Sequence, residues 1–253
     1  MRFFEIVKRL TQIHKCASCR TILDQKHFYD ALCPRCAEAY RRAKTESCPD
    51  CLRAAVECTC QPNMLSSSGS LCLRKLFFYY TDKENEAQNR LLYFLKHQPN
   101  KRAEAFVGSE LLSLIREELL ALSVYDEKNE VVIVNVPRGR KAVIENGFDQ
   151  SERICRALGN ASGIPFVPAL KRRLGGKEQK KLTAADRKKN MRSLIKANDR
   201  YTSDIDGKYV ILFDDVVTTG ASIAACLPIL RKMGAKGIIC CAMASNMKKK
   251  MRR

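Results

Sequence analysis

Residues 210–222 have the sequence Val-Ile-Leu-Phe-Asp-Asp-Val-Val-Thr-Thr-Gly-Ala-Ser, and this segment is the most informative one about the architecture. Four apolar residues predict a buried strand, which ends in the adjacent carboxylates Asp214 and Asp215. A turn of small residues then leads into a helix, and it consists of Thr218, Thr219, Gly220, Ala221 and Ser222. Hydroxyls and backbone N–H groups at the positive end of a helix dipole can hold a phosphate. Because the carboxylates can accept hydrogen bonds from both hydroxyls of a ribose, the segment predicts a ribose 5-phosphate cradle.

A pair of carboxylates after a strand is also typical of the magnesium-holding acid of P-loop NTPases. That class of site requires a G-x-x-x-x-G-K-[ST] loop. The Gly-Lys pairs of this chain, Gly176-Lys177 and Gly207-Lys208, are followed by Glu and Tyr instead of Ser or Thr. The sequence therefore excludes a P-loop.

Strands and helices alternate on both sides of residues 210–222. Apolar runs predict strands at 131–136, 164–169, 208–213 and 237–243. Between them, helical spacing predicts one helix over 151–158, closed by Gly159, and another over 222–233, ended by Gly234. This alternation predicts an α/β fold with a parallel sheet covered by helices on both faces, and with ligands at the carboxyl ends of the strands.

The chain has 13 cysteines, and eight of them fall between Cys16 and Cys60. These eight form two sets of four, the first being Cys16, Cys19, Cys33 and Cys36 and the second Cys48, Cys51, Cys58 and Cys60. Two C-x-x-C pairs 13 residues apart have the spacing of zinc knuckles that share one tetrahedral ion. The second set is less regular, and it predicts a second structural zinc. The other five cysteines lie in apolar patterns and are expected to fill the core.

Composition and linker residues divide the chain into four parts. Residues 1–62 are expected to form a small double zinc-ribbon module, and the Ser-, Gly- and Pro-containing residues 63–70 a linker. Residues 71–247 hold the α/β pattern, and 248–253 form a basic tail. The N-terminal MRFFEIVKRL is interrupted by charges, so it predicts neither a signal peptide nor membrane insertion, and the expected location is the cytoplasm. Metal ligation therefore explains the cysteines better than disulfides do.

The net charge of +19 is concentrated in two segments. Residues 171–200 hold 12 Lys and Arg against 3 Asp and Glu, and residues 248–253 add five basic residues and no acid. Such segments are often a solvated loop and a disordered tail, but they can also contact the phosphates of a nucleotide or nucleic acid. The lysines that we assign to such contacts with nucleic-acid phosphates are Lys180, Lys181, Lys188 and Lys189.

Residues 210–222 resemble the motif by which type I phosphoribosyltransferases bind 5-phosphoribosyl-1-pyrophosphate (PRPP). Other segments are similar to those of the ComF family of competence proteins, namely Asn135 to Arg140, Asn146 to Ser151, 178–182 with Arg187 and Asn190, and 91–96. Together with the cysteine module, the resemblance spans nearly the whole chain. It departs from the family pattern at Asn146, where arginine is usual, and at Asp149, where asparagine is usual.

The resemblance implies a phosphoribosyltransferase-like domain that binds PRPP with Mg²⁺, and a role in bringing single-stranded DNA into the cytoplasm. Catalytic roles would fall to Asp214 and Asp215, which would steady the sugar as pyrophosphate departs. The pyrophosphate loop would contain Arg138, Arg140 and Lys141, which follow the first core strand and could otherwise be ordinary surface residues. A DNA-uptake helicase or other competence proteins are the further partners implied.

Three functions remain open from the sequence. The first is a ComF-like protein that handles single-stranded DNA during natural competence. The second is a catalytic phosphoribosyltransferase of base salvage or nucleotide metabolism, a pentosyl-transferring glycosyltransferase, although the sequence contains no recognisable hood to select a base. The third is a PRPP-sensing regulator without transferase activity.

Overall fold

The computed structural model describes residues 13–80, 86–172 and 194–246, without the side chains of 140–142. The helices are α1 Pro34–Lys44, α2 Asn63–Ser66, α3 Ala87–His97, α4 Lys101–Ala121, α5 Glu127–Glu130, α6 Arg140–Asn146, α7 Gln150–Ser162, α8 Thr202–Ile205 and α9 Ala221–Lys232. The strands are β1 Cys72–Tyr79, β2 Val131–Asn135, β3 Leu170–Arg172, β4 Ile195–Ala197, β5 Tyr209–Val217 and β6 Gly237–Asn246. Within these residues, no helix combines the length and the apolar character needed to span a bilayer.

Four strands form a parallel sheet in the order β1-β6-β5-β2, which confirms the predicted fold class. The central strand β5 is apolar on both faces. Ile211 and Phe213 face a core that includes residues of α4 and α7, whereas Val210 and Leu212 face a core with residues of α9. Helices therefore cover both faces of the sheet, and the carboxyl ends of β2 and β5 meet at one edge, where Asn135 pairs with Phe213.

The chain after α7 differs from the predicted strand at 164–169. Only Phe166 bridges to Ile133 of β2, and β3 turns away to pair with β4 in a separate two-stranded antiparallel sheet. Pro165 and Pro168 explain the difference, because proline has no N–H to give to a strand ladder.

Helix α7 continues past its predicted end. Gly159 lies inside the helix, which ends at Ser162 and is followed by Gly163 with φ of 78°. A Cβ atom on Gly159 would lie 3.0 Å from the carbonyl oxygen of Ile164. Gly159 therefore allows close approach of the following chain instead of closing the helix.

The segment predicted as a linker contains α2 and packs on the domain that follows it. Leu65 is fully buried, in the same core as residues of α9. Arg231 of α9 donates a hydrogen bond to the carbonyl of Ser68 at 2.8 Å and another to that of Gly69. These contacts hold residues 63–70 against α9, next to the turn at 218–222.

Candidate functional site

The two carboxylates lie near the carboxyl end of β5. Asp214 and Asp215 are both half-buried, and each accepts a backbone hydrogen bond from the next residue. The N–H of Asp215 donates to Asp214 Oδ1 at 3.0 Å, and the N–H of Val216 donates to Asp215 Oδ1 at 2.8 Å. These bonds orient the acidic pair, Asp214 and Asp215, near the end of the strand.

Holding the acidic pair together is electrostatically unfavourable. Burial raises the pKa of Asp214 well above its usual value, and the nearby charges of Asp215 and then Asp149 raise it further. Buried groups with such pKa shifts concentrate at functional sites, where a ligand supplies the missing stabilisation. The acidic pair is therefore suited to a ligand that brings hydroxyl donors or a cation.

The turn after β5 presents small residues at the start of α9. Thr218 and Thr219 are exposed, and Thr219 Oγ1 accepts a hydrogen bond from the N–H of Ala221 at 3.4 Å. Gly220 caps the helix with φ of 75°, a conformation that favours glycine. A Cβ atom at Gly220 would also lie 3.0 Å from the Cβ of Leu65, so α2 restricts this position. Of the predicted phosphate-holding residues 218–222, the first three thus form a turn beside the acidic pair, and Ala221 and Ser222 begin α9.

Arg138 reaches the acidic pair from the loop after β2. Its Nη2 lies 3.6 Å from Asp215 Oδ2, and its side chain is only 11% exposed. Its Nη1 is buried and has no hydrogen-bond partner among the described residues. A buried guanidinium donor without a partner is costly, and an anionic oxygen at this position would satisfy it.

The two departures from the family pattern have structural roles. Asp149 caps α7 by accepting hydrogen bonds from the N–H groups of Ser151 and Glu152, at 2.9 and 3.2 Å. Its other oxygen accepts a hydrogen bond from the N–H of Arg138 at 3.1 Å, which ties the loop after β2 to α7. Asn146 Oδ1 lies 3.0 Å from Nδ1 of His97 at the end of α3. Asp149 therefore serves as a helix cap that positions the backbone of Arg138.

The other predicted phosphate-contacting residues differ in what the structure describes. Arg140 and Lys141 begin α6, but their side chains lie outside the described residues. The predicted DNA-contacting residues also lie outside the described part of the chain, and they are Lys180, Lys181, Lys188 and Lys189. Sequence reasoning does not identify Arg172, at the end of β3, as a neighbour of the loop after β2. In the structure, the central carbon of its guanidinium lies 3.9 Å from the position that a Cβ atom on Gly139 would take.

A cavity of about 960 Å³ adjoins the acidic pair. Asp215 and Thr218 line one side, the exposed face of α3 lines another, and Ser18 and Arg20 of the cysteine module line a third. We call this the central cavity. No sequence pattern signals it, because its walls come from three segments that only the fold brings together.

The eight N-terminal cysteines form two clusters, each with four sulfurs within 4.8 Å of one another. The first cluster contains Cys16, Cys19, Cys33 and Cys36, and the second contains Cys48, Cys51, Cys58 and Cys60. Their knuckles are alike, since Arg20 donates its N–H to the carbonyl of Cys16 and Leu52 donates to that of Cys48. Both residues have positive φ, 66° and 62°. This donor set and spacing can hold one metal ion in each cluster, as predicted.

Lys75 supports a charged metal centre in the second cluster. It is 1% exposed, and its Nζ donates hydrogen bonds to the carbonyls of Cys58 and Cys60 at 2.7 and 3.2 Å. No carboxylate among the described residues forms an ion pair with it. A buried ammonium group requires a counter-charge. Four thiolates around a divalent cation carry a net negative charge, so the environment of Lys75 fits a zinc–tetrathiolate group.

Comparison with known proteins matches one domain family over part of the chain and two relatives over most of it. Residues 160–253 match the family described as "Phosphoribosyl transferase domain". The chain is 26% identical over 227 residues to "DNA utilization protein YhgH" of Salmonella typhimurium, covering 87% of this chain and 92% of the relative. It is also 26% identical over 211 residues to "Competence protein ComFC" of Streptococcus pneumoniae, covering 82% and 84%.

Solved structures give a more distant likeness. The phosphoribosylpyrophosphate synthetase of Mycobacterium smegmatis is 18% identical, with a TM-score of 0.34, over 55% of this chain and 33% of that one. A purine phosphoribosyltransferase of Pyrococcus horikoshii is 21% identical, with a TM-score of 0.29, over 56% of this chain and 82% of that one. Likenesses at this level carry no argument about the site.

Proposed function

We propose that this chain binds PRPP and handles single-stranded DNA in natural competence or DNA utilisation. We infer this function from the family, because the chain is a ComF-family protein with a phosphoribosyltransferase-like domain. The relatives of Salmonella and Streptococcus carry names of that kind and match most of this chain. They favour this role over base salvage. The cytoplasm is the compartment in which we propose that it acts.

PRPP would lie across the carboxyl edge of the sheet. The carboxylates of Asp214 and Asp215 would accept hydrogen bonds from the two ribose hydroxyls. The 5-phosphate would sit on the turn at 218–222, at the positive end of the α9 dipole. Mg²⁺ bound to PRPP would offset the charge of its phosphates, and it would also reduce the repulsion from Asp215 that adds to the effect of burial on the pKa of Asp214.

The observation that carries this proposal is the position of Arg138. Its guanidinium faces Asp215 at 3.6 Å and keeps a buried Nη1 without a partner among the described residues. A pyrophosphate oxygen is an acceptor that would satisfy this donor, since guanidinium groups bind phosphates through charge-assisted hydrogen bonds. Arg140 and Lys141 follow in sequence and would add positive charge to the same loop.

The zinc module and the basic segments would take part in DNA binding. Two structural zinc ions, one in each cysteine cluster, would stabilise the module. The lysines of 171–200 would contact the phosphate backbone, as would the tail at 248–253. A DNA-uptake helicase or other competence proteins would be further partners.

A second candidate function is catalytic phosphoribosyl transfer, and the central cavity favours it. The cavity adjoins the acidic pair, so an acceptor in it would lie next to C1 of the ribose. A nitrogen nucleophile would form a bond to C1 as the C1–O bond to pyrophosphate breaks, and pyrophosphate would leave with the electron pair. Release of pyrophosphate from PRPP in the presence of each common base would test this activity.

Isothermal titration calorimetry with PRPP and Mg²⁺ tests the proposal, with Arg138→Gln as the variant. We expect the parent to bind, and we expect the variant to bind at least tenfold more weakly, since hydrogen bonds to charged groups are worth about 1.5–3 kcal/mol. Arg116→Gln is the matched control, because Arg116 is an exposed arginine that also pairs with a carboxylate, that of Glu127 at 3.4 Å. Equal affinity of parent and Arg138→Gln would contradict the assignment.

A further inference from the structure

The central cavity has walls whose chemistry differs from what a PRPP site beside the acidic pair requires. A site for PRPP alone would need phosphate and hydroxyl contacts, and Asp215 and Thr218 provide those at one wall. The opposite walls, formed by α3 and the first cysteine knuckle, are aromatic and cationic. These walls point to a second ligand.

Helix α3 presents an aromatic surface to the cavity. Tyr93 is 68% exposed, which is unusual for a large aromatic side chain, and its ring centroid lies 4.4 Å from that of His97 one turn later. Phe94 also lines the cavity, and the guanidinium of Arg20 lies 4.6 Å from the centre of its ring. Phe94 is only 8% exposed, so Tyr93 is the ring on which a base could stack, in the way that bases stack on aromatic side chains of nucleic-acid-binding proteins.

The charges of the lining select an anion. Arg20, Arg90 and Lys96 line the cavity, and among the described lining residues the single carboxylate is that of Asp215, which faces Arg138. Arg20 and Arg90 come from different elements, and Nε of Arg90 donates to Ser18 Oγ at 3.3 Å across the boundary between them. Positive groups on two walls can contact successive phosphates of one backbone.

We propose that the central cavity binds single-stranded nucleic acid, with one base stacked on Tyr93 and the phosphates of the strand on Arg20 and Lys96. This proposal rests on the proposed PRPP site. The base would lie between α3 and the acidic pair, adjacent to the ribose of PRPP. A volume of about 960 Å³ is at the upper end of the range for small-molecule sites, roughly 300–1,000 Å³, so it can hold a ribose phosphate and a base together.

The first cysteine cluster has a direct role in this site. Arg20 follows Cys19 in the knuckle turn and is held at φ of 66° by a hydrogen bond from its N–H to the carbonyl of Cys16. The metal-binding knuckle therefore fixes the direction in which Arg20 leaves the module. The second cluster packs elsewhere, against Phe78, and contributes no residue to the cavity lining.

The test compares Tyr93→Leu with Tyr93→Phe by fluorescence anisotropy, using the full zinc-loaded chain and a fluorescein-labelled oligothymidylate at physiological salt. We expect Tyr93→Leu to raise the dissociation constant roughly 5- to 150-fold, which corresponds to the loss of one base–aromatic stack. Tyr93→Phe keeps the ring and should bind like the parent. Tyr125→Leu is the matched control, since Tyr125 is 79% exposed and lies outside the cavity lining.

Arg20→Gln tests the phosphate contact. We expect it to weaken binding of the oligothymidylate and to reduce the slope of log affinity against log salt by about 0.7, the value for one contact to a single strand. Arg53→Gln is its control, because Arg53 is exposed on the second knuckle and does not line the cavity.

Three results would overturn the proposal. The first is that Tyr93→Leu binds the oligothymidylate as tightly as the parent does, and the second is that the parent does not bind it. The third is that thymidine monophosphate displaces the strand with an affinity like that of the strand, which would make the occupant a free nucleotide. PRPP calorimetry on the same proteins separates this proposal from the proposed function. Unchanged PRPP binding in Tyr93→Leu with loss of the strand supports the cavity site, whereas absence of PRPP binding in the parent contradicts the PRPP assignment alone.

Discussion

Replacing Asp214 by Asn should stabilise the fold while it weakens the ligand site. Burial and the adjacent charge of Asp215 raise the pKa of Asp214, so ionisation of this carboxyl is harder in the folded protein than in the unfolded chain. The Asp214→Asn substitution would remove the charge, and the oxygen of the new amide could still accept the 3.0 Å hydrogen bond from the N–H of Asp215. The variant should therefore be more stable than the parent at neutral pH.

The size of this effect depends on how far the pKa is raised. Each pKa unit is worth about 1.4 kcal/mol of unfolding free energy when the group is ionised in both states. A gain of about 1 kcal/mol raises Tm by roughly 2–4 °C in a chain of this size. We therefore expect Asp214→Asn to melt at least a few degrees higher at pH 8.

The Tm difference between variant and parent should change with pH in a direction that follows from the raised pKa of Asp214. A carboxyl with a raised pKa in the folded state contributes stability below its unfolded pKa of about 3.9 and loses that stability as the pH rises through the folded value. The Tm difference between variant and parent should therefore be small near the unfolded pKa and grow with pH. Asp149 and Arg138 are present in both proteins, so their own charges affect both melting curves.

Differential scanning calorimetry across this pH range measures the difference, with Asp215→Asn as the matched control. Asp215→Asn removes the repulsion with Asp214 but also the contact with the Arg138 guanidinium at 3.6 Å, so it should raise Tm less than Asp214→Asn does. A Tm for Asp214→Asn at or below the parent value at pH 8 would refute the reasoning. A difference that shrinks as the pH rises would also refute it.

Three further predictions concern the metal centres and the DNA. Purified protein should carry about two zinc ions per chain, and Cys16→Ser or Cys33→Ser should unfold the N-terminal module; elemental analysis that finds no zinc with all thiols free would reject this. Lys75→Met should release one zinc to a chelator faster than the parent does, because the buried ammonium at Cys58 and Cys60 is lost; an unchanged release rate in a colorimetric zinc assay would show that Lys75 does not stabilise the metal. Replacing Lys180, Lys181, Lys188 and Lys189 with Ala should weaken binding of single-stranded DNA and flatten a salt slope that is near −3.5 for about five phosphate contacts, while PRPP binding is kept; equal DNA affinity in anisotropy titrations would mean that these lysines form a solvated surface.

The parts of the site that sequence could predict are those that are continuous in the chain. Strand β5, the acidic pair and the turn before α9 follow one another within 210–222, so local pattern is sufficient to predict a strand, a turn and a helix. Arg138 could also be predicted to approach the acidic pair, because parallel strands end at the same edge of a sheet.

The parts that sequence could not predict depend on contacts between distant segments. Local pattern predicts a helix end at Gly159, but this glycine lies inside α7, where its missing side chain leaves room for the carbonyl of Ile164. In the sequence Asp149 is only a departure from the family pattern, whereas its role as a cap that also binds the N–H of Arg138 requires the folded loop. The central cavity requires α3 and the first knuckle to be placed opposite Thr218, which no local pattern reports.

The central claim is that the edge of the sheet at the acidic pair binds PRPP, and calorimetry on the double variant Asp214→Asn, Asp215→Asn tests it most directly. Both substitutions keep the size of the side chains, and circular dichroism and zinc analysis should show that fold and metal content are unchanged. We predict that the parent binds PRPP with Mg²⁺ and that the double variant gives no measurable heat of binding. Equal PRPP affinity in the two proteins would contradict the account.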